Sequence, residues 1–536
     1  MSSKAHLNQA IVSHFIEMKA DAKPDKEILI FEHGDKGEDR ITYQGLYENS
    51  NKIARLFKDN GLEKGDTYAV FMRNHPEFVY SMLAGPVIGS IMVPIDPRSR
   101  GDRLKFLLEN SNAKAVVVSG ELLAPLKRIL PIPNLKLIVV AQRPEQDIEI
   151  SNEYPILNET LEQDQWDRVD QQIMDVRHPF EIIYTSGTTG DPKGVMVRNN
   201  RFGLYNILTR LVWKYRPSDT LYSGLSLTHG NAQAVTLFPA LATGTKAVFS
   251  DRFTKSRIWD ICRKYNCTSF SLLGGMMAGI FNEPIQENDG DNPVKTVISA
   301  GTPRVIWEEF ERRFNLNILE WYGAVEGGFA YKPPGKGPIG SFGKPLPGMM
   351  ELKVVDENDN AVPDGETGEL IIRMLKGETK VDYLGKAEAS EEKTRGGWMR
   401  MGDMVHQDER GWYFFDFRKG SELRRAGDFI QPEHIESIIG QLEEVSEVCV
   451  YGIAAASGAP GESDLVAAVA PFPGNTLDPV DIYQQCRENL EPNSIPSYLQ
   501  LVEKIPKTIS EKALYRVLKL EFQPEAENVY SQEDFR

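Results

Sequence analysis

Tyr184-Thr185-Ser186-Gly187-Thr188-Thr189-Gly190-Asp191-Pro192-Lys193-Gly194-Val195 decides how the rest of the chain is read. Phe180, Ile182, Ile183 and Tyr184 just ahead of it read as a short buried strand. Three glycines and four hydroxyl side chains then fall between Thr185 and Gly194. Glycines let backbone N–H groups turn toward one phosphate chain, the hydroxyls add donors, and Lys193 adds a compact positive charge. The stretch therefore predicts a strand running into a cradle for the triphosphate of a nucleotide. A Walker loop needs G-x-x-x-x-G-K-[ST], whereas Lys193 is preceded by Pro192 and followed by Gly194, so this is no ordinary P-loop. A plain Ser/Thr/Gly-rich surface turn is the alternative, and the union of strand entry, hydroxyls, glycines and one lysine argues against it.

Working outward, helical patterns such as 43–60 and 103–112 alternate with apolar strands such as 68–72 and 114–118, which predicts βαβ units and a mostly parallel sheet. Behind the glycine-rich stretch, 221–229, 247–250 and 268–272 read as strands and 255–265 as a helix, a second α/β unit. Thr296 to Pro303 and Ile318 to Gly328 each read as a strand ending in a glycine turn, and such strand ends share one sheet edge in open α/β folds. From Met350 short strands separated by turn residues predict a small β-subdomain, and the last 110 or so residues read as a compact α/β unit. Gly335-Lys336-Gly337-Pro338-Ile339-Gly340 matches G-x-G-x-x-G only formally, because Pro338 sits inside it and no strand leads in.

Composition bounds the partners. A chain of 536 residues exceeds one usual core, so two or three domains are expected. The net charge of -16 argues against a nucleic-acid surface, which needs a basic stripe. Cys262, Cys267, Cys449 and Cys486 have neither metal-ligand spacing nor a disulfide framework, which suits a reducing cytoplasm. No signal-peptide pattern opens the chain and no run approaches a spanning helix, so a cytoplasmic protein is expected. Oligomeric state is not legible in the sequence.

The glycine-rich stretch resembles the phosphate-binding signature of the adenylate-forming superfamily, which comprises acyl- and aryl-CoA synthetases, luciferases and peptide-synthetase adenylation domains. The resemblance runs from about Ile41 to about Leu518, through Pro363-Asp364-Gly365-Glu366-Thr367-Gly368-Glu369-Leu370 and Gly397-Trp398-Met399-Arg400-Met401-Gly402-Asp403. Within the superfamily, the run from Leu221 to Trp259 looks closest to crotonobetaine/carnitine-CoA ligase-like and medium-chain acyl-CoA synthetases. It implies an α/β (α+β) architecture, in which a large N-terminal domain (1–418) of two α/β sheet subdomains and a small β-subdomain carries a small mobile α+β C-terminal domain (419–536). The hinge falls near 418–421, at Ser421.

By the same resemblance, Thr185, Ser186, Gly187, Thr188, Thr189, Gly190 and Lys193 hold the phosphates, Gly301 and Thr302 line the adenine, and Tyr322 stacks on it beside Gly323. Glu326 is a Mg²⁺ ligand, Asp403 and Arg418 contact the ribose, and Lys512 is the mobile catalytic lysine. His229, Gln233, Gly274, Ala300, Ala324 and Gly328 are implied as acyl-pocket walls, and pantetheine passes near Gly427 and Asp428. Four positions depart from family habit: Val325 for threonine, Met401 for threonine, Ser421 for aspartate or lysine, and Glu511 for glycine.

The implied function is an ATP-dependent carboxylic acid–CoA ligase, AMP-forming, with ATP, Mg²⁺ and coenzyme A as cofactor and co-substrates. A carboxylate is a poor electrophile until AMP is joined to it, after which a thiol can displace AMP. Two readings stand beside this one. In the first, the acid is loaded onto a freestanding carrier protein, since no carrier domain is expected behind Lys512. In the second, the chain is a nucleotide-binding protein that has lapsed from catalysis. The identity of the acid stays open, although small and apolar residues among the implied walls favour a moderately bulky, mostly apolar acyl group.

Overall fold

Runs of Val, Ile and aromatic residues buried on both faces build two sheets, as parallel strands covered by helices require. The computed structural model describes residues 7–143, 153–185, 192–418, 423–430, 432–459, 461–506 and 515–535. The first sheet has six strands, in the order Leu137–Ala141, Ala115–Ser119, Thr67–Phe71, β1 (Ile91–Ile95), β2 (Pro179–Thr185) and β3 (Lys193–Arg198). All neighbours are parallel except the β2–β3 pair, which is antiparallel and flanks the glycine-rich stretch in sequence. Its helices are placed by local chemistry. Tyr43–Asp59 begins where the Thr42 side chain accepts from the Gly45 N–H at 3.1 Å, and Pro76–Ile88, apolar but for Glu77 and Ser81, is buried along its whole length.

The second sheet has thirteen strands. From one edge run Glu38–Thr42, Glu27–Glu32, Lys246–Ser250 and Thr220–Ser223, then β4 (Ser269–Leu273), β5 (Thr296–Ala300), β6 (Asn317–Ala324) and β7 (Gly327–Lys332). Strand Ser341–Pro345 pairs with β7 on one side and with the hairpin of β8 (Met399–Gln407) and β9 (Tyr413–Arg418) on the other, through β9. Gly368–Met374 and Met350–Val355 complete the row. The expected small β-subdomain is therefore hydrogen-bonded into the second sheet. The expected strand 221–229 stops at Ser223 because Asn74 takes over the backbone beyond it. The Asn74 amide donates to the Leu225 and Ser250 carbonyls at 2.8 and 2.9 Å, and its Oδ1 accepts from the Leu227 N–H at 2.8 Å.

Helix α1 (Asn200–Leu208) runs on into a π-helical turn, Thr209–Trp213, and a second π-helical turn spans Ala232–Leu237. Helix α2 (Gly274–Phe281) follows β4 directly. The C-terminal unit is a four-stranded sheet (Val445–Ala454, Ser463–Pro471, Tyr498–Leu501, Val529–Ser531) with helices Pro432–Ile439, Pro479–Asn489 and Tyr515–Glu521. Among the described residues, no core cluster mixes side chains from before residue 418 with side chains from after 423. No helix of the described residues is long and apolar enough to cross a membrane.

Candidate active site

The carboxyl ends of β1, β2, β4, β5 and β6 open on one cavity of about 1130 Å³, lined there by Asp96, Thr185, Leu273, Ala300 and Ala324. That is where open α/β sheets present ligand-binding loops, since each strand end releases its chain toward the same side.

The turn after β5 is fixed from beneath. Glu320 of β6 accepts from the Gly301 N–H at 2.6 Å, the Thr302 N–H at 3.2 Å and the Thr302 hydroxyl at 2.6 Å. Burial pushes this carboxyl up to about 7, and the three donors work in the opposite direction. On the same face of β6 the Tyr322 hydroxyl donates to Asp403, and the Tyr322 ring lies 4.7 Å from that of Phe342. Asp403 is buried on β8, directly opposite Arg418 of β9 in the strand register. Gly301, Thr302, Tyr322, Gly323 and Asp403 all line the cavity.

At the β2–β3 hairpin Thr185 pairs with Lys193 in register, and the Thr185 hydroxyl reaches the Lys193 carbonyl at 3.4 Å. Ser186, Gly187, Thr188, Thr189 and Gly190 lie outside the described residues, as do Ser421, Glu511 and Lys512. The segment 382–384 runs alongside β3, where the Met196 N–H donates to the Asp382 carbonyl and the Leu384 N–H to the Gly194 carbonyl, both at 2.8 Å. This sets Tyr383 between two charges. Its hydroxyl donates to Glu326 Oε1 at 3.0 Å, and Lys193 Nζ sits over its ring, 5.3 Å from the centroid. At the departure from family habit, Val325, the backbone carbonyl accepts from the Arg201 guanidinium at 3.0 Å, while Met401 is packed into the core.

Arg201, Leu204, Tyr205 and Leu208 of α1, Trp213, Ala234 and Phe329 form a largely apolar wall of the cavity. Trp213 packs edge-on against Trp321 and Phe329, with centroids 5.8 and 5.7 Å apart. Of the residues implied as acyl-pocket walls, His229, Ala300, Ala324 and Gly328 line the cavity, but Gln233 and Gly274 do not. Gln233 is wholly buried, its amide donating to Glu181 at 3.1 Å and to the Leu227 carbonyl at 2.9 Å. Gly274 stands where α2 passes the Gly301 carbonyl so closely that a Cβ would lie 1.8 Å from that oxygen. Both residues therefore support walls that others line.

His229 stands against Asp96, Nε2 to Oδ2 at 2.7 Å. Arg98 grips the same carboxylate with Nε and Nη2, at 2.9 and 2.7 Å, and reaches Asp428 with Nη1 at 2.9 Å. Gly427 and Asp428 thus come to the cavity edge, where a Cβ on Gly427 would lie 3.0 Å from Leu273. Reading the sequence missed the parts played by Asp96, Arg98, Arg201, Glu320 and Tyr383. The available signal was slight: Glu320 is a carboxylate inside an apolar strand, and Asp96 follows the buried run of β1 directly.

Fold and cavity together define an enzyme of the doubly layered α/β kind, with one large pocket at its strand ends and a separate small α+β unit set against the pocket's edge. The chain belongs to the AMP-binding enzyme family: residues 16–375 match that family, and residues 434–512 match the AMP-binding enzyme C-terminal domain. It is 26% identical over 506 residues to crotonobetaine/carnitine–CoA ligase of Salmonella typhimurium, a match covering 92% of this chain and 96% of that one. Among solved structures, its fold is similar to a double mutant of o-succinylbenzoate CoA synthetase from Bacillus subtilis bound with the product analogue OSB-NCoA. The TM-score is 0.77 at 21% identity, covering 94% of this chain and 97% of that one. It is similar also to an amide bond synthetase of Marinactinospora thermotolerans, with TM-score 0.78 at 19% identity, covering 96% and 99%.

Proposed function

We propose that the protein is an ATP-dependent carboxylic acid–CoA ligase, AMP-forming, whose acid is moderately bulky and mostly apolar. The observation that carries the reading is one cavity joining three things: a β2–β3 hairpin with Lys193 at its mouth, a buried Asp403 beside Tyr322 and the Gly301–Thr302 turn, and an apolar wall from Leu204 to Trp213.

The first step brings a carboxylate to the α-phosphate of ATP, anion against anion, so catalysis rests on positioning and positive charge. Gly301 and Thr302, clamped by Glu320, and Tyr322 hold the base, and Asp403 with Arg418 takes the ribose hydroxyls. Lys193 meets the phosphates. Glu326 is a hard oxygen donor beside them, which suits Mg²⁺ because that ion is held by one or two carboxylates together with substrate phosphates. When bound, Mg²⁺ supplies positive charge across the triphosphate. The Tyr383 hydroxyl orients Glu326, and the Tyr383 ring keeps Lys193 near it without a direct ion pair. Lys512 carries the mobile positive charge of this step, from a C-terminal domain that pivots near 418–421.

In the second step a thiol displaces AMP. Asp428 of the C-terminal unit at the cavity edge supports a route for pantetheine past Gly427 and Asp428. A carrier-protein thiol is the alternative acceptor.

The test is pyrophosphate release with ATP and Mg²⁺ against short, medium, long, aryl, alicyclic and betaine-type acids, with and without CoA, the products being weighed by mass spectrometry. Acid-dependent release ending in an acyl-CoA is expected. An acyl-adenylate that persists despite CoA would move the acceptor to a carrier protein, and ATP binding without turnover on any acid would overturn the ligase. In the same assay Lys512→Ala is expected to slow adenylation by about 10²–10³-fold.

A further inference from the structure

We infer that Arg201 receives the carboxylate of the acid and holds it where the acyl wall meets the triphosphate site, the acyl tail running along α1 toward Trp213. The inference rests on the ligase reading above. In that reaction a carboxylate oxygen attacks the α-phosphorus of ATP. A new P–O bond forms, and the bond to pyrophosphate breaks with its electron pair leaving on pyrophosphate. No proton moves, so what the protein can add is placement and charge.

Three consecutive residues mark the junction. Ala324, Val325 and Glu326 all line the cavity, the first an expected acyl-pocket wall and the last the expected oxygen donor beside the phosphates. An acid with its tail on one side and its head against phosphate on the other brings its carboxylate past Val325. Val325 has no hydroxyl to offer there, and its Cγ2 stands 3.5 Å from where a Cβ on Gly230 would lie. Arg201, in the first turn of α1, supplies a donor instead. Its Nη2 donates to the Val325 carbonyl at 3.0 Å, and the residue lines the cavity. A guanidinium carries five N–H donors in a planar fork, so a bond to one carbonyl leaves others for a carboxylate.

The charge on Arg201 has no counterion of its own. Among the described residues no carboxylate lies within ion-pair distance of it. Three other arginines of the lining are each held, Arg98 by Asp96, Arg103 by Glu491 and Arg400 by Glu369. Glu181 feels the Arg201 charge, but burial pushes that carboxyl up to about 7, which makes it a poor counterion near neutral pH. Arg201 also acts on the Tyr205 phenol, against the effect of burial, so the guanidinium lies near a second residue of the lining. A half-buried cation without an anion is costly, and an arriving carboxylate removes that cost.

The course of the tail follows from the helix. Leu204, Tyr205 and Leu208 stand three, four and seven residues beyond Arg201, on one face of α1. About 10 Å of helix separates Arg201 from Leu208. Further on, Trp213 packs against Trp321 of β6 and Phe329 of β7, each four residues from Val325. This face of the helix therefore meets the β6–β7 turn at Arg201 and the interior of those strands at Trp213, with apolar wall between.

The experiment uses the panel acid that turns over fastest, its uncharged primary amide, and AMP, with binding of each to the full chain read by calorimetry. Wild-type protein is expected to bind the acid about tenfold or more tighter than the amide, as one charge-assisted hydrogen bond provides. Arg201→Met is expected to bring acid and amide within about twofold of each other, leave AMP affinity unchanged, and slow pyrophosphate release at low acid by about 10²-fold. Arg201→Lys, which keeps a charge, is expected to retain a preference for the acid. Equal binding of acid and amide by the wild type would overturn the inference without recourse to any variant. So would an Arg201→Met protein that loses acid and amide alike, as removal of a structural prop does, or one that loses AMP as much as acid, as removal of a phosphate ligand does. Absence of turnover on every acid of the panel would instead bring down the ligase reading, and this inference with it.

Discussion

Two buried carboxyls carry the sharpest predictions at the scale of single residues. Glu181 lies wholly inside beside one donor, the Gln233 amide at 3.1 Å, and burial pushes it up to about 7. The unfolded chain ionises it near 4.5, so between pH 4.5 and 7 the folded state holds the extra proton and stability falls as pH rises. A shift of that size corresponds to about 3 kcal/mol. Glu181→Gln is therefore expected to flatten the decline in Tm between pH 5 and 7.5, read by thermal melts across that range. Glu320 has the opposite role, since three donors depend on it. Glu320→Leu leaves the Gly301 and Thr302 N–H groups unmet at about 1–3 kcal/mol each, the Thr302 hydroxyl keeping Ser299 as partner, and is expected to raise the KM for ATP at least tenfold while the KM for the acid moves less. An equal rise in both would show that the turn does not serve the base. Lys193, Glu326 and Asp403 could be singled out in the sequence because each stands beside glycines in a short run that resembles a family signature. Glu320, Asp96 and Tyr383 were not, because their partners are 18, 133 and 57 residues away and nothing local marks the meeting.

Among the elements, strands and helices with a strong period were readable to within a few residues. Helix 43–60 is observed as Tyr43–Asp59, and helix 255–265 as Ile258–Tyr265. The failures have physical causes. The stretch beyond Ser223 is apolar enough for a strand, yet a single asparagine from another layer satisfies its backbone groups. Gly274 shows how an element contact hides in composition: the start of α2 is glycine because the Gly301 carbonyl occupies the space a Cβ would take. Gly274→Ala is expected to cost about 1–3 kcal/mol through forced backbone movement, whereas Gly275→Ala, whose Cβ would meet Ala426 at an ordinary 3.6 Å, is expected to leave Tm nearly unchanged. Equal Tm for the two variants would show that α2 yields freely.

For the whole molecule, the C-terminal unit meets the cavity edge through two ion pairs, Arg98–Asp428 at 2.9 Å and Arg103–Glu491 at 3.0 Å. Partly exposed pairs weaken as salt shortens the Debye length from about 10 Å at 0.1 M to about 3 Å at 1 M. Small-angle scattering is expected to show a larger radius of gyration at 1 M salt than at 0.1 M, and Arg103→Ala is expected to show that expansion already at 0.1 M. A radius unmoved by either would mean that apolar contacts, such as Gly427 on Leu273, hold the unit without help.

The two sides of the cavity are made of unlike material. Strands of one hydrogen-bonded sheet carry Glu320, Tyr322 and Asp403, so their spacing is fixed by register over the whole row. The opposite side is a helix that loosens into a π-helical turn, with Leu204, Leu208 and Trp213 facing the space through side chains alone. Substitution on the helical side alters the room offered to an acid without disturbing any ladder. A lineage built on this plan is thus free to change its diet while its machinery for spending ATP stays the same.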